Sequence, residues 1–410
     1  MAGNLRLRDT WAFQRVLIDP SHSKATNRRE VTRLLHSSPL SDSDCILALR
    51  NRYLCTKPPS SLPSYTGNPD SALDADITLG EVRAALDKLR TTSTPGADQI
   101  SNKALRNLDT PSLEVITDLF NKHLHASTLP SERTHAKVIL IPNAGKPIDI
   151  QNLRPISVTS CLGKLLEHVV LDPLQNFLDD NHLFPDSMFG FRPSLSTHGV
   201  MLQLSEEVLH PLHAKRTRAV MALDMTKAFD ILHSAILDAL STLNVGPRIH
   251  GYITAFLTRH TAEISFGPLS SPNFTLGNQG TAQCSVLSPL LFNITLFPMA
   301  RALATIPNLF RAFYANDITL WVTTGNLGEI GAVIQAGADV VAGHDRAVGL
   351  ACSPSKSELL LLPARGTAPT SFPPLASLLT RTPSLFLSLA SAFWVSFADP
   401  TTNTLPSFPA

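Results

Sequence analysis

Between Phe310 and Val322 the chain alternates apolar and polar residues on either side of one break, Ala315-Asn316-Asp317. Phe310, Ala312 and Tyr314 share one face before the break, and Ile318, Leu320 and Val322 share one after it. A period of two belongs to strands, and Asn and Asp favour turns, so the stretch predicts a β-hairpin with Asn316 and Asp317 at its tip. A second run, Val220 to Leu223, predicts a strand that delivers Asp224 at its C-terminal end, with a helical pattern following from about Ala228. Two such strand ends side by side would gather Asp224, Asn316 and Asp317 in one place.

The rest of the chain mixes both kinds of element. Thr78 and Glu81 have capping-box spacing, and order is expected to begin there, with Val82, Leu86 and Leu89 on one helical face. A second helix follows Asp109-Thr110-Pro111, and Ala136 to Ile141 reads as a short buried strand. A further helix spans about Leu162 to Leu178 and is expected to strain or end near Pro173. Strands and helices interleave without a strict βαβ rhythm, which makes α+β the expected class. Residues 1–75 are polar and end in a Pro/Ser-rich stretch, the pattern of a linker or of the remains of an upstream module. From about Pro363 the chain is rich in Ser, Leu, Pro and Thr and almost uncharged, and 363–410 reads as a low-complexity or out-of-register tail.

Composition narrows the function classes. Charged residues are 16% of the 410, and the net charge is +1, so any nucleic-acid surface must be local rather than global. The five cysteines are dispersed with no CxxC pair, which speaks against a zinc module or a disulfide framework. The start lacks a signal-peptide apolar core, and the most apolar late run, Ser384 to Phe397, is shorter than the ~20 residues of a membrane span. The expectation is a protein with no membrane partner.

Paired acidic groups on rigid strand ends suit phosphoryl transfer, which uses divalent cations at both the attacking and the leaving oxygen. Eight blocks in one order carry the reading further: TPGADQISNKAL (94–105), AKVILIP (136–142), NLRPISVTSCLGKLLE (152–167), FGFRPSLSTH (189–198), ALDMTKAFD (222–230), GNQGTAQCSVLSPLLFNI (277–294), FYANDITLW (313–321) and GLACSPSKSELLLL (349–362). In these blocks the chain resembles the reverse transcriptases of non-LTR (LINE-type) retrotransposons.

The resemblance implies a right-hand polymerase with fingers over 76–215 and a palm over 216–362, the core spanning about 94–362. No thumb is recognisable after Leu362, and no endonuclease domain precedes residue 76. It implies an RNA template, a DNA primer and deoxynucleoside triphosphates as partners, and two Mg²⁺ ions, or Mn²⁺, as cofactors. Asp224, the Met225 carbonyl, Asn316 and Asp317 would hold the metals, and Lys356 would protonate the departing pyrophosphate. Phe229 would be the steric gate against a 2′-hydroxyl. Gln283 and Arg154 would position the nucleotide, with Lys137 and Lys146 near them, and Arg192 would lie on the template side. An RNA-templated RNA polymerase is disfavoured, because a smaller or polar group usually stands where Phe229 does. A nuclear location follows only from how such elements integrate.

Departures from the family's pattern bear on catalysis. The usual YADD is Tyr314-Ala315-Asn316-Asp317, so an amide replaces the first acid of the tip. A unit charge lost ~4 Å from a cation is worth about 4 kcal/mol at an effective dielectric near 20, on the order of a thousandfold in rate. Asp317 is expected to point elsewhere on an alternating strand and to compensate only in part. The family's PQG is Ala282-Gln283-Cys284, and its DGI is Asp98-Gln99-Ile100. A degenerate copy that folds and binds nucleic acid without polymerising is therefore the alternative reading.

Overall fold

The computed structural model describes residues 31–35, 40–54, 61–130, 133–143, 149–150, 152–258, 260–282, 284–353 and 356–365. Order begins well before Thr78. Helix α1 (Asp42–Tyr53) is capped by the Ser41 hydroxyl, and it buries Cys45 and Leu49. Those two side chains and Val31 complete a small core with strand residues Val138, Leu140, Leu153, Ala262, Ile264 and Phe266. A polar helix with one narrow apolar stripe is hard to tell from a linker by composition. Its partner lies about a hundred residues away: the Tyr53 hydroxyl donates to the Ile150 carbonyl and accepts the Leu153 N–H.

Helix α2 (Leu79–Lys88) starts with the expected capping box, Thr78 Oγ1 accepting the Glu81 N–H while the Glu81 carboxylate accepts the Thr78 N–H. The short α3 (Asn102–Arg106) follows, and α4 (Thr110–Ala126) is capped by Asp109. Strands β1 (His135–Pro142) and β2 (Leu153–Val158) pair antiparallel. Helix α5 (Cys161–Asp180) passes straight through Pro173. An interior proline costs about 3 kcal/mol. Leu165, Leu166, Val169, Val170, Leu174 and Leu178 are all essentially buried, at roughly 1.5–3 kcal/mol each, so packing outweighs the break.

After α6 (Thr197–Leu204), strand β3 (Arg218–Thr226) runs two residues past Asp224, because Met225 and Thr226 gain a partner strand of their own in β9 (Ala351–Cys352). A turn then delays the next helix to His233, where α7 (His233–Thr242) and α8 (Pro247–Leu257) form. Strand β4 (Thr261–Phe266) lies parallel to β1, with β5 (Leu269–Ser270) and β6 (Phe274–Thr275) on its other edge.

The second sheet has the order β10-β3-β8-β7, where β7 is Phe310–Tyr314, β8 Asp317–Val322 and β10 Glu358–Leu362. Helices α9 (Ser288–Ala304) and α10 (Leu327–Val348) cover one face, burying Leu291, Ile294 and Ile334 with Met221, Ile318 and Leu320. The opposite face packs Trp321 and Ala312 on Val200, Leu204 and Val208. Buried on both sides, this sheet is a rigid base. The α+β expectation holds. Among the described residues no helix is long and apolar enough to cross a membrane.

Candidate active site at the junction of β3 and the hairpin

The hairpin forms as the alternation predicts, with Ala315 and Asn316 as its two-residue turn and Ala315 in the left-handed region at φ 52°. Asp317 is the first residue of β8, not part of the tip. The antiparallel register sets Asp317 directly opposite Asp224. Directly opposed residues share a face, so Asp317 faces Asp224 instead of pointing away as alternation from the tip suggests. Burial raises the Asp317 carboxyl above the ordinary range, and the Asp224 charge raises it further, against the pull of Lys356.

Two side chains converge on the Asp224 carboxylate. The Asn316 amide nitrogen donates to Oδ1 at 3.1 Å and reaches the Met225 carbonyl at 3.3 Å. The Lys356 ammonium donates to Oδ2 at 2.7 Å. The backbone tightens the same knot, with the Met225 N–H on the Asn316 carbonyl at 2.9 Å and the Ser353 N–H on the Asp224 carbonyl at 2.7 Å. Lys356 arrives because β9 and β10 both pair with β3, so the turn between them lies beside Asp224.

The hairpin rests on the segment around Phe189-Gly190. The Phe189 N–H donates to the Phe313 carbonyl at 2.8 Å, and the Phe313 N–H to the Ser187 carbonyl at 2.8 Å. Asn293 of α9 donates to the Gly190 carbonyl at 2.9 Å. A side chain at Gly190 would meet the Ala315 nitrogen at 2.2 Å, so only glycine lets the turn lie this close.

The remaining expected site residues are spread around this centre. Phe229 is half-buried, its ring 6.2 Å from that of Phe292. Arg154 is exposed on β2. Lys137 is engaged by Glu263 at 3.2 Å. Arg192 lies 3.2 Å from Asp179 and stacks over Phe184 at 4.5 Å, held by its own chain. Lys146 and Gln283 lie outside the described residues. Cys284, where the family has glycine, adopts φ 79°, a conformation that glycine takes freely and cysteine does not.

Two features leave no signal in the sequence. Buried Glu167 of α5 accepts from the Ser285 hydroxyl at 2.6 Å and from the Val286 and Leu287 N–H groups at 2.6 and 3.3 Å. Ser285 Oγ in turn accepts the Leu287 and Ser288 N–H groups at 3.2 and 3.3 Å, so Glu167 and Ser285 together cap α9, whose own cap residue supplies no side-chain bond. A cleft of about 460 Å³ opens at the end of β3, lined among others by Arg52, Thr226, Lys227, Asp230, Gln279 and Ala351. Lys227 stood within the ALDMTKAFD block; Arg52 belongs to the segment that read as linker.

Asp224, Asp317 and the Met225 carbonyl are hard oxygen donors of the kind magnesium takes. Yet Asn316 turns its amino group toward Asp224 and the Met225 carbonyl, and Lys356 holds the second Asp224 oxygen. Among the described residues no three His, Cys, Asp or Glu side chains converge. As arranged, this donor set does not fit a pair of divalent cations.

Two opposed carboxylates on β3 and β8, with the Lys356 ammonium on one of them, are thus gathered at a single strand junction. The family model described as "Reverse transcriptase (RNA-dependent DNA polymerase)" matches residues 141–389. The chain is 30% identical over 257 residues to the RNA-directed DNA polymerase from mobile element jockey of Drosophila funebris, covering 61% of this chain and 28% of that protein. It is 26% identical over 266 residues to the probable RNA-directed DNA polymerase from transposon BS of Drosophila melanogaster, covering 63% and 29%. A type-1 R2 retrotransposable-element polyprotein of Popillia japonica is 29% identical over 218 residues, covering 53% and 29%. The chain belongs to the reverse transcriptase family, among the polymerases of LINE-type elements. It spans less than a third of the length of these curated relatives.

Proposed function

We propose that this chain is the core of an RNA-directed DNA polymerase that holds a template–primer and a deoxynucleotide but transfers nucleotides poorly. The observation that carries this is the Asp224–Asp317 pair, opposed across β3 and β8 in a chain of this family, with an amide at 316. Fingers over 76–215 and a palm over 216–362 are part of the proposal, with 1–75 and 363–410 outside the core. The segment 1–75 is divided from the rest only by composition, since α1 packs against the first sheet.

In this reading Arg154 grips triphosphate oxygens, because a guanidinium stays charged and binds oxygens in pairs. Lys137 would have to leave Glu263 to help. Phe229 bars a 2′-hydroxyl, and Gln283 touches the nucleotide. Arg192 lies on the template side, held in place by Asp179 and the Phe184 ring. Lys356 is a proton donor only when released from Asp224, so in the resting site it neutralises that carboxylate. Asp224, Asp317 and the Met225 carbonyl are the proposed holders of two Mg²⁺ ions, which the natural chain would hold far more weakly than Asn316→Asp.

Primer extension on poly(rA)·oligo(dT) with Mg²⁺ tests the proposal, run beside fluorescence anisotropy of the same duplex. The natural chain should bind the duplex and extend it on the order of a thousandfold more slowly than Asn316→Asp. Robust extension unchanged in the variant would remove Asn316 as the cause of weak transfer. Failure of both chains to bind the duplex would sink the polymerase reading.

A further inference from the structure

We propose that the Asn316 amide and the Lys356 ammonium together replace a divalent cation at Asp224, so that this site closes on itself and no longer needs metal. The inference rests on the polymerase reading for where the site is, but on hydrogen bonding for what it does.

Asp224 Oδ1 and the Met225 carbonyl both point at a single atom, the Asn316 amide nitrogen. Two oxygen acceptors converging on one point make a place for something positive. A carboxylate at 316 could meet them only through a cation, since three acceptors would otherwise face one another. The amide needs no mediator, because its two N–H groups satisfy both oxygens directly. Turning the amide over would recreate the three-acceptor clash and lose both bonds. The amino orientation is therefore the stable one without metal.

Lys356 completes the substitution. Its ammonium takes the other Asp224 oxygen at 2.7 Å, so both oxygens of that carboxylate have protein donors. Charge follows the same logic. Asp224 and Asp317 bring two negative charges against one lysine, where a third carboxylate would bring three. Like charges this close do not all ionise without a counter-ion. With the amide in place, one lysine leaves at most a single unit uncompensated. A cation entering this site would have to displace Lys356 and break or turn the Asn316 amide, losing three hydrogen bonds before gaining a ligand.

The test compares metal binding and metal-dependent stability in the full chain, with Mn²⁺ as the spectroscopic probe. Thermal melting of the natural chain should be the same in EDTA and in excess Mg²⁺. Asn316→Asp should melt several degrees lower in EDTA and recover with Mg²⁺. By electron paramagnetic resonance, Mn²⁺ should bind Asn316→Asp at least tenfold more tightly than the natural chain, and Asp224→Asn should abolish that gain. Should Asn316→Asp not fold, Lys356→Met supplies the second arm. It frees one Asp224 oxygen and should raise Mn²⁺ affinity severalfold, still short of a full site. The proposal is overturned if the natural chain binds Mn²⁺ as tightly as Asn316→Asp and loses it in Asp224→Asn, or if Lys356→Met leaves Mn²⁺ affinity unchanged. Duplex binding, read by anisotropy, is independent of these outcomes: its absence would refute the polymerase reading and leave the metal comparison standing.

Discussion

Glu167 of α5 receives the Val286 N–H at 2.6 Å although 119 positions separate them in sequence. The same carboxylate takes the Ser285 hydroxyl and the Leu287 N–H, and Ser285 Oγ takes the Ser288 N–H, so one buried side chain anchors the open end of α9. Burial pushes this carboxyl up, and its three donors pull it back. Glu167→Ala should leave the part-buried Val286 N–H unpaired, at about 1–3 kcal/mol, while the Leu287 N–H keeps Ser285 Oγ; Glu167→Gln keeps an acceptor and should lose about 1 kcal/mol. Urea unfolding of the two variants decides it. Equal losses would mean the carboxylate fills space and does not cap.

Gly190→Ala puts a methyl 2.2 Å from the Ala315 nitrogen and 3.0 Å from the Tyr314 carbonyl carbon, both backbone atoms that cannot swing aside. Overpacking of this kind costs about 1–3 kcal/mol, and the upper end is expected here. The turn should lift, loosening the Asn316 contact with Asp224. Hydrogen exchange at Met225 N–H, which donates to the Asn316 carbonyl, should speed up by at least tenfold. A small loss of stability with that proton still protected would show that the hairpin is not held from beneath.

Two buried groups pull the acid response in opposite directions. Burial raises Asp345 from 3.8 to about 6, with the Cys352 thiol donating to it at 3.2 Å. Its contribution to stability is full below ~4 and is lost as pH rises through about 6. Burial lowers His233 from 6.5 to about 4, its Nε2 set against the Gly280 carbonyl at 2.7 Å. That contribution is present above 6.5 and is lost as pH falls through about 4. Each displacement corresponds to roughly 3 kcal/mol. Asp345→Asn removes the first trend alone, so its stability relative to the natural chain should climb by roughly 2 kcal/mol between pH 4 and pH 7. Chemical denaturation across that range checks it; a constant difference would mean Asp345 does not titrate within it.

Phe229 can be read as a core aromatic or as a sugar gate, and its half-buried position beside Phe292 suits both. In the Asn316→Asp chain, Phe229→Val should raise ribonucleotide incorporation at least tenfold while melting falls modestly. If melting falls and sugar discrimination stays put, the ring is there for packing.

How much of this was legible in the sequence varies element by element. The capping box at Thr78, the helix after Asp109-Thr110-Pro111 and the hairpin alternation are local signals, each contained within a few residues, and each appears in the fold. Helix α1 was missed because two buried residues, Cys45 and Leu49, are too few to mark a face. Pro173 misled because its cost is local and the packing that offsets it is not. Asp317 was misjudged because alternation along one strand says nothing of which residue stands opposite.

The sequence by itself determined the family, the α+β class and the identity of the residues at the hairpin, including the amide at 316. It could do so because those features are patterns of residue type and spacing. Only the tertiary structure decided that Asp317 faces Asp224, that Glu167 caps a distant helix, and that Asn316 and Lys356 satisfy both Asp224 oxygens. These depend on strand register and on contacts between residues more than ninety positions apart. A hydrogen bond reports the distance between two atoms in space, and spacing along a chain does not contain it.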